Sequence, residues 1–155
     1  MKRVTIALPA MVLMGLGGCV NGVFPIPGFG FDEPIAVEVF NNSDFDVIPD
    51  IRFDPDNDLL ALQDPREFLD IGSLIPGEFI EFEFDCDRLG TIFSDETEVY
   101  FLGEFIGLAE PSDALQFGDA FTCGDFIQIE FIGVDDFFEI VLRVNGVVVG
   151  SSALF

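Results

Sequence analysis

The chain has no histidine, no tryptophan, and lysine only at Lys2. Without imidazole there are no Ser–His or Cys–His dyads, none of the usual zinc and copper sites, and no residue of the commonest type of general base near neutral pH. Without lysine beyond position 2 there is no Ser–Lys catalysis and no Schiff base. Six basic residues stand against 29 acidic ones, a net charge of −23. Such a balance excludes nucleic acid as a natural partner, because binding to a phosphate backbone comes from neutralising it with Lys and Arg. Also missing are an apolar run of the roughly 18–20 residues that a spanning helix needs, and any 3.6-residue apolar period sustained long enough for a real helix. The chemistry that remains is carboxylate chemistry. Paired carboxylates hydrolyse glycosides only when one is shielded and both face a cleft, whereas most acids here alternate along solvent-facing strand positions. A carboxylate-based hydrolase is therefore the least favoured reading.

What is present begins with residues 1–19, where Lys2 and Arg3 precede an apolar core of about a dozen residues that ends in Leu16-Gly17-Gly18-Cys19. An aliphatic residue, two small residues and a cysteine resemble the lipobox of bacterial lipoprotein export signals. That resemblance implies acylation of Cys19, cleavage after Gly18, and a membrane partner reached through the lipid anchor. Two or three acyl chains hold a protein to a bilayer far more firmly than one. Val20, where an Asp would resemble an inner-membrane retention mark, favours the outer membrane. Removal of residues 1–18 leaves Arg52, Arg66, Arg88 and Arg143 against 29 acidic residues, a net of −25 and no lysine. Self-repulsion of that size makes folding sensitive to salt and suggests a saline or cation-rich setting.

Acidity here does not mean disorder, since 50% of the residues are hydrophobic and twenty are Phe. Residues 19–33 carry Pro and Gly without a steady period and read as a tether; residues 34–155 read as one domain. In that domain the dominant signal is alternation of period two. Ile35, Val37 and Val39 alternate with Ala36 and Glu38 before the turn residues Asn41-Asn42-Ser43-Asp44. Asn41-Asn42-Ser43 also fits a glycosylation acceptor formally, but reads as turn chemistry in a bacterial lipoprotein. Phe45, Val47, Ile51 and Phe53 oppose Asp44, Asp46, Asp50 and Arg52, with Pro49 marking an edge strand or bulge. Ile80, Phe82, Phe84 and Cys86 oppose Glu81, Glu83, Asp85 and Asp87. Ile127, Ile129 and Phe131 oppose Gln128 and Glu130; Phe138, Ile140, Leu142 and Val144 oppose Glu139 and Arg143. Gly133-Val134-Asp135-Asp136 and Asn145-Gly146 supply hairpin turns. One short helical turn is expected within residues 54–74, around Leu59-Leu60-Ala61-Leu62 and Arg66-Glu67-Phe68-Leu69, and a second within residues 87–93. The pattern predicts an all-β chain: an antiparallel β-sandwich, immunoglobulin-like in the broad sense, of about seven strands.

Cys86 and Cys123 share the parity of core-facing residues, and an exported pair normally oxidises. Their bridge closes a loop whose chain-entropy stabilisation is about 4 kcal/mol. Asp54-Pro55-Asp56-Asn57-Asp58 is the best-placed metal candidate, because clustered carboxylates (Asp54, Asp56, Asp58) and the Asn57 amide oxygen suit Ca²⁺. It departs from an EF-hand loop, with Leu59 where that pattern needs Gly and Pro65 where it needs Glu. The same residues also read as a polar turn that ends a strand. No other cofactor is implied.

The lipobox, the Asn41-Asn42-Ser43 turn, Arg52-Phe53-Asp54, Ile75-Pro76-Gly77-Glu78 and Phe84-Asp85-Cys86-Asp87 together resemble acidic lipoproteins of planctomycete-type bacteria. No activity attaches to that group, so the resemblance implies the architecture alone. The expectation is a lipid-anchored cell-envelope protein serving as a non-enzymatic binding or structural module, with an envelope protein or polysaccharide as partner. The alternative is calcium-dependent adhesion or carbohydrate binding, in which exposed Phe79, Tyr100 and Phe137 stack on sugar rings or dock a protein. A sandwich covered on its second face buries these three instead, and burial is the favoured expectation.

Overall fold

The computed structural model describes residues 33–55, 67–135 and 137–153. Cys19, the export signal, nearly all of the tether, Asp56, Asn57, Asp58 and residues 59–66 lie outside them. Among the described residues the chain forms β1 (Ile35–Ser43), β2 (Asp46–Ile48), β3 (Ile51–Asp54), β4 (Glu67–Leu69), β5 (Phe79–Phe84), β6 (Thr91–Ser94), β7 (Thr97–Phe101), β8 (Glu104–Ala109), β9 (Leu115–Gln116), β10 (Phe126–Val134), β11 (Phe137–Val144) and β12 (Val147–Ala153). The only helical piece among them is a 3₁₀ turn at Cys86–Arg88. The fold is all-β and sandwich-like, as the alternation predicts, with twelve strands in place of about seven.

One layer is a five-stranded sheet in the order β12-β11-β10-β1-β5. Its inward row is Ile35, Val37 and Val39 on β1, Ile127, Ile129 and Phe131 on β10, and Phe138, Ile140 and Leu142 on β11, all of them buried. The expected antiparallel arrangement needs one correction. β1 runs parallel to β10, with Ala36 beside Phe126 and Ser43 beside Gly133, while its other neighbour β5 is antiparallel. Alternation tells which face a residue takes but not the direction of the neighbouring strand.

The second layer consists of a sheet in the order β2-β7-β8 and another in the order β4-β3-β6-β9. Pro49-Asp50 separates β2 from β3, and Asp95-Glu96 separates β6 from β7. The two interruptions stand side by side, where the Asp95 N–H donates to the Asp50 carbonyl at 2.7 Å. Both sheets are thus halves of one kinked layer, which accounts for part of the extra strand count. Pro49 lies at the kink, between β2 at the edge of its sheet and β3, where a residue without a ladder donor is tolerated. Of Arg66-Glu67-Phe68-Leu69, expected in a helical turn, Glu67–Leu69 are described, and they form β4, whose Phe68 pairs across from Arg52. Of the second expected turn only Cys86–Arg88 is helical, while Thr91, Ile92 and Phe93 enter β6 as buried strand residues.

Asn41, expected in a turn, lies inside β1 and is fully buried. Its amide nitrogen donates to the carbonyls of Phe45 (2.7 Å) and Leu74 (2.8 Å), and its Oδ1 accepts from the Ser43 hydroxyl (2.6 Å) and N–H (3.1 Å). These bonds tie the chain reversal from the first layer into the second. Glu130, expected on a wet face, is 8% exposed. It persists there because Arg143 donates to its Oε2 at 2.9 and 3.0 Å and Asn42 to its Oε1 at 2.8 Å, which satisfies the buried charge. Cys86 and Cys123 meet at disulfide distance, Cα–Cα 5.3 Å, and join the start of the 3₁₀ turn to the loop before β10.

Candidate functional site

The strand registers give the sandwich two distinct ends. The chain enters where Ile35 faces Phe84 and Ala36 flanks Phe126, and β11 reverses into β12 at that same end through Asn145-Gly146. At the far end β1 turns into β2, β10 turns into β11, and β2 begins against the last residues of β7 with Asp46 opposite Tyr100. The nine residues of β1, at about 3.3 Å each, separate the ends by roughly 30 Å.

The far end carries a cluster of exposed apolar side chains. The β7–β8 hairpin projects there through the two-residue loop Leu102-Gly103, with Phe101 paired to Glu104. Both loop residues have positive φ, 51° for Leu102 and 83° for Gly103. A type I′ turn demands that geometry and favours Asn-Gly, which the Asn145-Gly146 hairpin uses. Leucine at this φ is strained by its Cβ, and Leu102 is also 88% exposed. Phe101 and Phe105 beside it are exposed as well, as are Val134 and Phe137 at the β10–β11 turn. An aromatic chain anchors the tip: Phe101 meets Phe45 edge-on at 5.7 Å, Phe45 meets Phe138 at 6.0 Å, and Phe138 stacks on buried Phe131 at 6.2 Å. The hairpin base is locked where a Cβ on Gly133 would come within 2.9 Å of the Phe45 ring and the Phe137 carbonyl. Exposed Asp44, Glu104 and Asp135 border this end, and among the described residues no basic one does.

The favoured burial of Phe79, Tyr100 and Phe137 is therefore corrected. Phe79 is 58% and Phe137 45% exposed, because they stand on the outer face of the five-stranded sheet and nothing described covers it. Tyr100 is half-buried, edge-on to Phe105 at 5.5 Å, and its hydroxyl donates to Glu98 Oε2 at 2.5 Å. That hydrogen bond raises the phenol above its usual pKa.

A second feature is a groove of about 510 Å³ on the outer face of the kinked layer, lined in part by Ile48, Arg52, Phe68, Ile71, Glu96 and Glu98. The Arg52 guanidinium spans the kink, with Nη2 at 2.8 Å from Asp50 and Nε at 2.9 Å from Asp95. The hydrogen bond to Asp50, with the Asp50, Asp95 and Glu96 charges, raises the Arg52 pKa further despite some desolvation. Ion pairs this exposed contribute about 0–1 kcal/mol each, so Arg52 chiefly balances charge within the groove.

Of the metal candidate Asp54, Asp56, Asn57 and Asp58, only Asp54 is described; it is buried at the end of β3, across from Thr91. Among the described residues no three His, Cys, Asp or Glu side chains form a metal-holding group. The buried carboxylates among the described residues, Asp54 and Glu130, belong to different layers. No described helix is long and apolar enough to cross a membrane. Compared with family models, curated proteins and solved structures, the chain matches none.

Proposed function

We propose that this chain is a lipid-anchored protein of the bacterial cell envelope, held through acylated Cys19 and sorted to the outer membrane. In it the sandwich serves as a non-enzymatic binding module. Its docking surface is the far end, and its partner is an envelope protein that offers an apolar pocket bordered by Lys or Arg. The observation that carries this reading is Leu102, a strained leucine held 88% exposed at a hairpin tip. Strain and apolar exposure both cost stability, and a bound partner recovers that cost by burying the tip. Asp44, Glu104 and Asp135 supply the charge that a basic rim complements.

Two experiments test the reading. Mass spectrometry of the mature protein should find Cys19 acylated at the new N-terminus; an unmodified Cys19, or cleavage beyond it, rules the anchor out. A photo-crosslinking residue at position 102 in native envelopes should yield one discrete protein adduct that Phe101→Asp abolishes and high salt weakens. Crosslinking no different from that at an exposed β4 position would end the docking reading.

A second reading, carbohydrate binding, draws on the groove, where exposed Phe68 stands beside Arg52 and the acids Glu67, Asp70, Glu96 and Glu98. An apolar ring face beside carboxylates suits a sugar. Polysaccharide-dependent protection lost in Phe68→Ala and kept in Leu102→Asp would favour it over the protein partner.

A further inference from the structure

We infer that the Asn145-Gly146 hairpin and the edge strand β12 rest against the surface of a lipid bilayer. The inference builds on the proposed anchoring, and adds which face of the domain meets the membrane. Residues 144–155 contain no charged side chain, the longest such stretch after Asp32 in a chain with 29 acidic residues. Val147, Val148 and Val149 are all exposed there. β12 pairs with β11 alone, so one edge of the strand is open among the described residues. Edge strands are ordinarily guarded by charge or proline; β12 has neither in its own sequence, and the segment 110–113 meets it only beyond the valines, at Gly150 and Ser152.

Position selects the occupant. This hairpin lies at the end where the chain enters: Asn145 exchanges hydrogen bonds with Phe126, N–H to carbonyl at 2.8 Å and Oδ1 from the Phe126 N–H at 3.0 Å, and Phe126 flanks Ala36. From β1 to β12 is three strand spacings, about 14 Å. A tether that runs to an acylated Cys19 leaves the described domain at Glu33, at this end, which favours this end over the far end for contact with the bilayer. Acids flank the tip on the β10 side, and one, Asp113, lies farther along β12, where a Cβ on Gly150 would meet its carboxylate at 3.6 Å. Asp125 is held by the Asn145 amide at 2.7 Å, and Glu33 lies against Gly124. A zwitterionic bilayer accepts the valine edge, whereas the acidic faces elsewhere are repelled by anionic headgroups. A second copy of the chain fits less well, since each brings a large negative charge to the contact.

Because the chain has no tryptophan, a single introduced indole reports its own depth. Val148→Trp and Phe137→Trp replace exposed residues near opposite ends, and each lipidated full-length protein is reconstituted into phosphatidylcholine vesicles with brominated acyl chains. The Val148→Trp emission should fall at least threefold more than the Phe137→Trp emission. Equal quenching, or none at Val148→Trp while the Cys19 peptide carries its acyl group, overturns the inference and leaves the anchor standing. If Cys19 proves unacylated, the anchor fails by itself; quenching of Val148→Trp on adding vesicles still supports the lipid contact, and its absence overturns it. A blue shift that follows protein concentration and ignores lipid assigns the edge to a second copy, which also overturns it.

Discussion

Asn41 shows how much one side chain can hold. Its amide closes the first-to-second-layer reversal by bonding the carbonyls of Phe45 and Leu74, which also accept from the Ser43 hydroxyl at 3.2 Å and the Val47 N–H at 3.0 Å. Asn41→Leu fits the buried volume but takes one donor from each carbonyl and the Oδ1 acceptor from Ser43, and should cost about 1–3 kcal/mol by urea unfolding, against a smaller loss for Ser43→Ala. Asp125 makes a different prediction, one of pH. Desolvation pushes its carboxyl up, but the hydrogen bonds from Asn145 and Thr122 outweigh that and hold it below the usual carboxylate range. A depressed carboxyl adds stability that is present above its unfolded pKa of about 3.9 and lost as pH falls through the folded value. Asp125→Ala should therefore melt below wild type at pH 7, and the gap in melting temperature should close as pH drops below about 4. A gap that persists into strong acid would mean the clasp depends on packing instead of charge.

Leu102-Gly103 and Asn145-Gly146 are the same turn built with different residues, and the difference separates stability from use. Leu102→Asn gives the first hairpin the chemistry of the second and should raise stability by about 0.5–1 kcal/mol, read as a higher urea midpoint with an unchanged slope. The same change should weaken docking at the far end. The Asn145-Gly146 turn, the parity of β1, β5, β10 and β11, and the inward row of β2 and β3 were all legible in the sequence, because each strand there has one buried and one wet face. The segment from β6 to β9 was not. Thr91, Ile92, Phe93 and Ser94 are all buried, and the first residues of β8 are exposed on both faces, so neither stretch alternates. The Arg66-Glu67-Phe68-Leu69 segment suited a helical turn locally, and for Glu67, Phe68 and Leu69 pairing with β3 overrode that preference. The exposure of Phe79 and Phe137 was illegible for a related reason: parity assigns a side chain to a face and says nothing of what lies over it.

Over the whole chain the acids outnumber the bases by 23. Monovalent salt should raise the melting temperature by screening this repulsion, with the steepest rise below about 0.15 M, where the screening length exceeds roughly 8 Å. At matched ionic strength Ca²⁺ should add nothing further; a saturable rise removed by Asp56→Asn and Asp58→Asn would instead assign a site to residues 54–58. The parallel seam between β1 and β10 carries a last consequence, for the order of events in folding. Ala36 meets Phe126 and Ser43 meets Gly133, ninety positions away in each case, so the first strand to emerge waits for the last third of the chain before its central neighbour exists. Until then β1 has only β5 beside it, and the second layer has two strands of the first to pack against instead of five. Such a high contact order places refolding in the millisecond-to-second range. A chain stopped before residue 126 should stay uncollapsed and protease-sensitive even with β1 to β9 complete, which makes the domain's assembly a nearly all-or-none event set by its C-terminal strands.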